Sequence, residues 1–247
     1  MDKPMFTPGA PLPVVEVGPR DGLVKAWSFS SLKEFEKCPL RTKFGKVDRI
    51  EVEQHPAAER GQNIHDKAEK WITGDLADFP KELKHFEKGF SSLREGYGEG
   101  AVIVEEPWAF TLDWDITDWS HDECWLRMKL DAFVQETDTS AVVIDFKTGK
   151  RDGNEISHTS QAQIYAIGAF MRNPGLQYVK AEFWYLDFAS KNRLVKEYTR
   201  DKAMMFLPKW NERGIKMTSC TEFHPTPSKF NCKWCSFKDN CEWAVDV

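Results

Sequence analysis

The stretch Ala141-Val142-Val143-Ile144-Asp145-Phe146-Lys147-Thr148-Gly149-Lys150 constrains this chain more than any other. Four apolar, mostly β-branched residues read as a buried strand, and Gly149 punctuates its end. Side chains alternate along a strand, so Asp145 and Lys147 project to one side. Two readings of the pair stand open. It is either a strand-end ion pair, which contributes little, or a metal ligand beside a cation that handles a phosphate or a water.

The neighbouring patterns place this strand in a mixed α/β layer. A serine cap (Ser30 or Ser31) and the apolar Leu32 and Phe35 predict a first helix, closed by Cys38-Pro39. Helical spacing of Ile64, Ala68, Trp71 and Ile72 predicts a second over 57–73, and a third covers 81–94. Strands are expected at 101–112, 125–135 and 139–147, the last two joined as an antiparallel hairpin through Glu136-Thr137-Asp138. A helix over 157–171, strands at 178–188 and 193–198, and a helix over 201–213 follow, before a cysteine-rich tail. That order describes a helix crossing over a mixed sheet.

Composition limits the function classes. A net charge of -5 argues against a protein that coats nucleic acid by charge alone, without excluding one that grips it locally. No apolar run reaches the length of a membrane span. The proline-punctuated start, residues 1–26, reads as an extended arm rather than a secretion signal. Charge is uneven: 105–123 holds seven acidic residues around Trp108, Trp114 and Trp119, and 191–202 carries Lys191, Arg193, Lys196, Arg200 and Lys202. Both read first as solvated faces, the tryptophans as core or rim packing. A basic wall facing a substrate and aromatics stacking bases are the functional alternatives.

Several further residues belong with Asp145 and Lys147. Asp131 lies among apolar residues in the preceding strand, where hairpin pairing would bring its carboxylate towards Asp145. Two carboxylates in a low dielectric repel, and a divalent cation relieves them. His65 lies on the second helix, and Gln161 and Tyr165 share a face of the helix after the buried strand. Cys232-x2-Cys235-x5-Cys241, with Cys38 from the other end of the chain, forms a thiolate set suited to tetrahedral zinc or to an iron–sulfur cluster. Cys124 and Cys220 read as packing residues.

Taken in order, these residues resemble the RecB-like branch of the PD-(D/E)XK nucleases. That branch shows a Gly-x3-His helix (Gly61 and His65 here), a strand aspartate (Asp131) and an Asp-[Phe/Tyr]-Lys-Thr-Gly strand (Asp145 to Gly149). A Gln-x3-Tyr helix (Gln161 and Tyr165) completes the set. Its iron–sulfur members, which include the CRISPR adaptation nuclease and phage and bacterial recombination exonucleases, add two segments. Ser28, Ser30, Leu32, Phe35, Cys38 and Pro39 match the early one, and Cys232, Cys235 and Cys241 the late one. Met128 departs from the glycine that often precedes the strand aspartate, and Ala132 from the charged residue that often follows it.

The resemblance implies one nuclease domain over 27–241, in which 27–45 and 216–241 form the cluster-bearing end and 242–247 a tail. His65, Asp131, Asp145 and the Phe146 backbone carbonyl would hold Mg²⁺ or Mn²⁺. Lys147 would orient a water or meet developing charge, and Gln161 and Tyr165 would position the site. Cys38, Cys232, Cys235 and Cys241 would carry a [4Fe–4S] cluster, with structural zinc as the alternative. The implied activity is metal-dependent DNA cleavage, as an exonuclease on ends or single strands. Its setting would be replication, recombination or repair in the cytoplasm of a bacterium or a phage-infected host, with a replication or recombination protein as possible partner. Relatives that form rings and relatives that stay monomeric share these motifs. A CRISPR adaptation nuclease, a non-catalytic DNA-binding or assembly module, and a redox or scaffold protein built on the cysteines are the competing classes.

Overall fold

The structure is a computed structural model and describes residues 21–189 and 192–246. Most of the expected N-terminal arm lies outside the described residues. The core is a five-stranded mixed sheet made of β1 (Val102–Val104), β5 (Ala132–Thr137), β6 (Ser140–Lys147), β7 (Tyr178–Tyr185) and β8 (Leu194–Thr199). The spatial order is β1-β5-β6-β7-β8, with β6 and β7 parallel and the other neighbours antiparallel. A smaller sheet of β2 (Pro107–Phe110), β3 (Ile116–Thr117) and β4 (Leu126–Lys129) has the order β3-β2-β4.

Strand β6 is unbrokenly apolar from Ala141 to Ile144 because it is covered on both faces. Ala141 and Val143 pack with residues of α5 (Glu155–Arg172), the crossover helix between β6 and β7. Val142, Ile144 and Phe146 face α3 (Pro56–Thr73) and α4 (Glu87–Gly98) on the other side. Helix α3 stops at Gly74, whose φ of 91° ends it in the left-handed conformation open to glycine. The expected mixed α/β architecture is what forms, and no described helix is long and apolar enough to cross a membrane.

Four expectations are corrected. The strands expected over 101–112 and 125–135 each break in two, at Glu105 and at Leu130-Asp131. Glu105 adopts a φ of 54°, and its N–H donates to the Asp131 carbonyl at 3.3 Å. The two breaks bond each other, so both chains step from the large sheet to the small one at the same level. The helix expected over 201–213 divides into α6 (Arg200–Met204) and α7 (Leu207–Thr218), with Pro208 in the first turn of α7. A proline ring there collides with the carbonyl four residues earlier, at Met204, and stops the first helix. The cap of α1 (Phe29–Lys37) is Ser28 rather than Ser30 or Ser31, in a reciprocal capping box with Ser31. The expected helix over 81–94 opens as a 3₁₀ turn, Lys81–Phe86, before α4.

Helix α7 carries Gly214 against two buried indoles. A Cβ there would lie 2.5 Å from Trp27 Nε1 and 2.6 Å from Trp125 Cζ2. Those rings are buried and meet edge to face with centroids 5.3 Å apart. Gly214→Ala gains about 1 kcal/mol of helix propensity, but overpacking costs about 1–3 kcal/mol. The expected result is a lower urea midpoint with an unchanged slope; a raised midpoint would show that the tryptophans yield.

Candidate active site

Two faces of the sheet deliver side chains to the C-terminal end of β6. On the α5 face, Asp145 is buried and Lys147 lies beside it. Tyr165 donates to Asp145 Oδ1 at 2.7 Å and accepts from Gln161 Nε2 at 2.6 Å. Gln161 Nε2 also reaches Asp145 Oδ1 at 3.1 Å, and Lys147 Nζ donates to Gln161 Oε1 at 3.2 Å. Lys147 Nζ stands 2.5 Å from Asp145 Oδ2. Both carboxylate oxygens are thereby engaged, Oδ1 by Tyr165 and Gln161 and Oδ2 by the Lys147 ammonium. Burial, then the charges of Asp145 and Asp131, push the Tyr165 hydroxyl well above its ordinary value, so it stays a donor.

On the opposite face, α3 brings His65 to Asp131. His65 Nδ1 lies 2.9 Å from Asp131 Oδ1, and the Phe146 N–H donates to Asp131 Oδ2. The hairpin register pairs Ala132 with Ile144, which sets Asp131 one step along, level with Asp145. The backbone of Phe146 is thereby held against Asp131, between the two carboxylates. Met128, the departure noted before the strand aspartate, lays its sulfur where a Cβ on Gly168 of α5 would be, 2.6 Å away. The bulk of Met128 is matched by the missing side chain of Gly168.

Glu105 is the residue that sequence reasoning missed. Its carboxylate, His65 and Asp131 are the only group among the described residues whose metal-binding atoms all lie within 4.8 Å of one another. Lys129 forms an ion pair with Glu105. The usable signal was Pro107 two residues on, which marks the edge of a new strand in an otherwise continuous pattern.

The electrostatics describe a site overloaded with negative charge. Burial, then the neighbouring Asp145, raises the Asp131 carboxyl above its ordinary value. Burial raises Glu105 too, against the pull of Lys129, and Asp131 adds to the rise. Burial alone would lower His65, but its bond to Asp131 and the nearby carboxylates outweigh that, and its shift is upward. Oxygen donors plus one imidazole fit a hard divalent cation.

The four candidate cluster cysteines meet elsewhere. Cys38, Cys232, Cys235 and Cys241 line one pocket, between α2 (Pro39–Thr42) and the segment around α8 (Lys229–Lys233). Thr226 Oγ1 and Asn231 Nδ2 both donate to the Lys37 carbonyl, at 2.6 and 2.9 Å, and Phe44 packs on Phe237. No three of the sulfurs lie within 4.8 Å of one another. Cys124 and Cys220 lie outside that pocket. Of the basic run near the end of the sheet, Arg200 is occupied by carbonyls at the end of α5, including those of Phe170 and Asn173.

Among solved structures, one described as "Crystal structure of SSO0001" is similar over 90% of this chain and 88% of that one, with 14% sequence identity and a TM-score of 0.45. No curated protein matches the chain. The family model for the PD-(D/E)XK nuclease superfamily matches residues 26–242. A match that takes in both faces of the β6 site and both ends of the cysteine pocket leaves little of the chain outside it: the protein belongs to the PD-(D/E)XK nuclease superfamily.

Proposed function

We propose that the protein is a divalent-metal-dependent DNA nuclease, acting as an exonuclease on ends or single strands in bacterial or phage replication, recombination or repair. The observation that carries this reading is the convergence of Asp145, ion-paired to Lys147, with Asp131 and His65 at the end of β6. His65, Asp131, Asp145 and the Phe146 carbonyl would hold Mg²⁺ or Mn²⁺, and Glu105 joins them as a further candidate ligand. Bound there, the cation supplies Lewis-acid polarisation of the phosphate and acidifies a water.

The chain's own groups do the rest. Tyr165 and Gln161 fix the Asp145 carboxylate in one orientation through two donated hydrogen bonds. Lys147, steadied by Gln161 Oε1, offers a cation to the attacking water or to charge developing on the phosphate. His65 fixes the Asp131 carboxylate from the far side. Residues 27–241 act in this reading as one nuclease domain.

The four cysteines are proposed to hold a [4Fe–4S] cluster that ties the tail to the end of α1. Their meeting in one pocket supports a shared bound group, and free thiols fit the reducing cytoplasm of a bacterium or phage-infected host. A brown protein with absorption near about 400 nm is expected; a colourless protein with one zinc per chain would reverse this part.

The function is tested by incubating end-labelled single- and double-stranded DNA with Mn²⁺, Mg²⁺ or EDTA, beside Asp145→Ala. Metal-dependent digestion, lost in the variant, is the expected result. Full cleavage by Asp145→Ala would remove the site assignment. No cleavage by folded wild-type protein would favour a binding or assembly module of the same fold.

A further inference from the structure

A groove of about 470 Å³ runs beside the Asp145 site, and its cationic lining takes no part in the roles above. One wall is the segment leading into α1; the other is β4 with the loop before it. Gln161 and Tyr165, which both bond Asp145, lie along it. A ligand held in the groove would therefore lie against the two side chains that bond Asp145.

The charged residues lining this groove are Lys46, Arg127 and Lys129, all cationic. Glu105 partly neutralises Lys129. Arg127 has no such partner among the described residues: its Nε is buried without a hydrogen bond, and its guanidinium rests over the Trp119 ring, 5.4 Å from the centroid. Lys46 sits on the π-helical turn Lys43–Val47, where the nearby Asp48 is taken by Lys43. Trp119 is 40% exposed, whereas Trp108 and Trp114 are buried.

An indole left open in a groove and backed by an arginine contributes little to the core. It does offer a flat face to a base. In a duplex each base face is covered by its neighbours, while an unpaired strand presents free faces for stacking. Cations without counter-charges match the phosphates of the same strand. We propose that this groove is the path of a single DNA strand towards Asp145, with Trp119 as the stacking platform for one base and Arg127 and Lys46 as phosphate contacts. The proposal rests on the nuclease reading and adds the form of the substrate and the residues that select it.

The test titrates the full chain with a short labelled oligothymidylate and with the matching duplex, in EDTA so that nothing is cut. Mn²⁺-dependent hydrolysis of bis(p-nitrophenyl) phosphate by the wild-type protein is measured alongside. Trp119→Ala is expected to weaken oligothymidylate binding about 5- to 150-fold, with Trp119→Phe recovering most of it. Arg127→Gln is expected to lower the salt slope of binding by about one. Unchanged single-strand affinity in both alanine and glutamine variants, or an equal loss for duplex, would overturn the strand path even if the wild type hydrolyses the phosphodiester. Weakened single-strand binding in the variants of a protein that hydrolyses nothing would keep the path and remove the nuclease reading.

Discussion

Asp131→Asn is expected to abolish DNA cleavage and, in EDTA, to make the protein more stable. Asparagine keeps an oxygen to accept the Phe146 N–H and presents an amide donor to His65 Nδ1, so both hydrogen bonds of the wild type have a counterpart. What disappears is a buried negative charge facing Asp145 and Glu105. Removing one of several like charges from a low dielectric stabilises the metal-free state. A gain on the order of 1 kcal/mol corresponds to about 2–4 °C in a chain of this size. Cleavage should fall more than about 100-fold, since loss even of a group that only supports a ligand costs 10- to 100-fold.

The pH dependence gives the sign a second check. The Asp131 carboxyl is held above its ordinary value of 3.8, first by burial and then by Asp145. From that value upward, the native state therefore binds more protons at this group than the unfolded chain. Its contribution to stability is lost as pH rises through the raised value. The advantage of Asp131→Asn should accordingly be largest near neutral pH and shrink on acidification towards pH 4. Added Mn²⁺ should raise the melting temperature of the wild type and not that of the variant. A variant that melts lower than the wild type in EDTA at neutral pH would mean that the carboxylate is held by favourable interactions, and that the site has no need of a cation.

The same residues show how far the sequence could be read. Strand β6 was legible because layers on both faces demand unbroken apolar character from Ala141 to Ile144, and the Asp145–Lys147 alternation survives at its exposed end. Gln161 and Tyr165 were legible as one helix face, and the structure brings them to a single carboxylate oxygen. The breaks at Glu105 and Asp131 were not. Their flanks keep strand composition on either side, and the step between sheets comes from a bond between two segments 26 residues apart. Glu105 was hidden by the same step, because only the left-handed kink turns its carboxylate towards His65. The three tryptophans of the acidic span look alike in sequence. Trp108 and Trp114 are committed to the core, and only the position of Trp119 beside Arg127 distinguishes it.

Cys235→Ser is expected to release the tail while leaving the β6 site in place. The segment from Glu222 to Asp246 contributes few buried apolar side chains, chiefly Phe223 and Phe237. Its other ties are the hydrogen bonds to the Lys37 carbonyl and the Phe44–Phe237 contact. A group bound by all four cysteines would join Cys38 to the tail, and metal-linked segments lose much of their folding free energy with the group. A frayed terminus opens at almost no cost, whereas a tied segment opens only at several kcal/mol. Trypsin should then cut at Lys229, Lys233 or Lys238 at least about 100-fold faster in Cys235→Ser than in the wild type. Cys38→Ser should give the same pattern from the other end of the chain, although it lies almost two hundred residues away in sequence. Cys220→Ser, outside the pocket, should not. Equal protection in the wild type and in both pocket variants would mean that protein contacts alone hold the tail, and that the four sulfurs bind nothing needed for its fold.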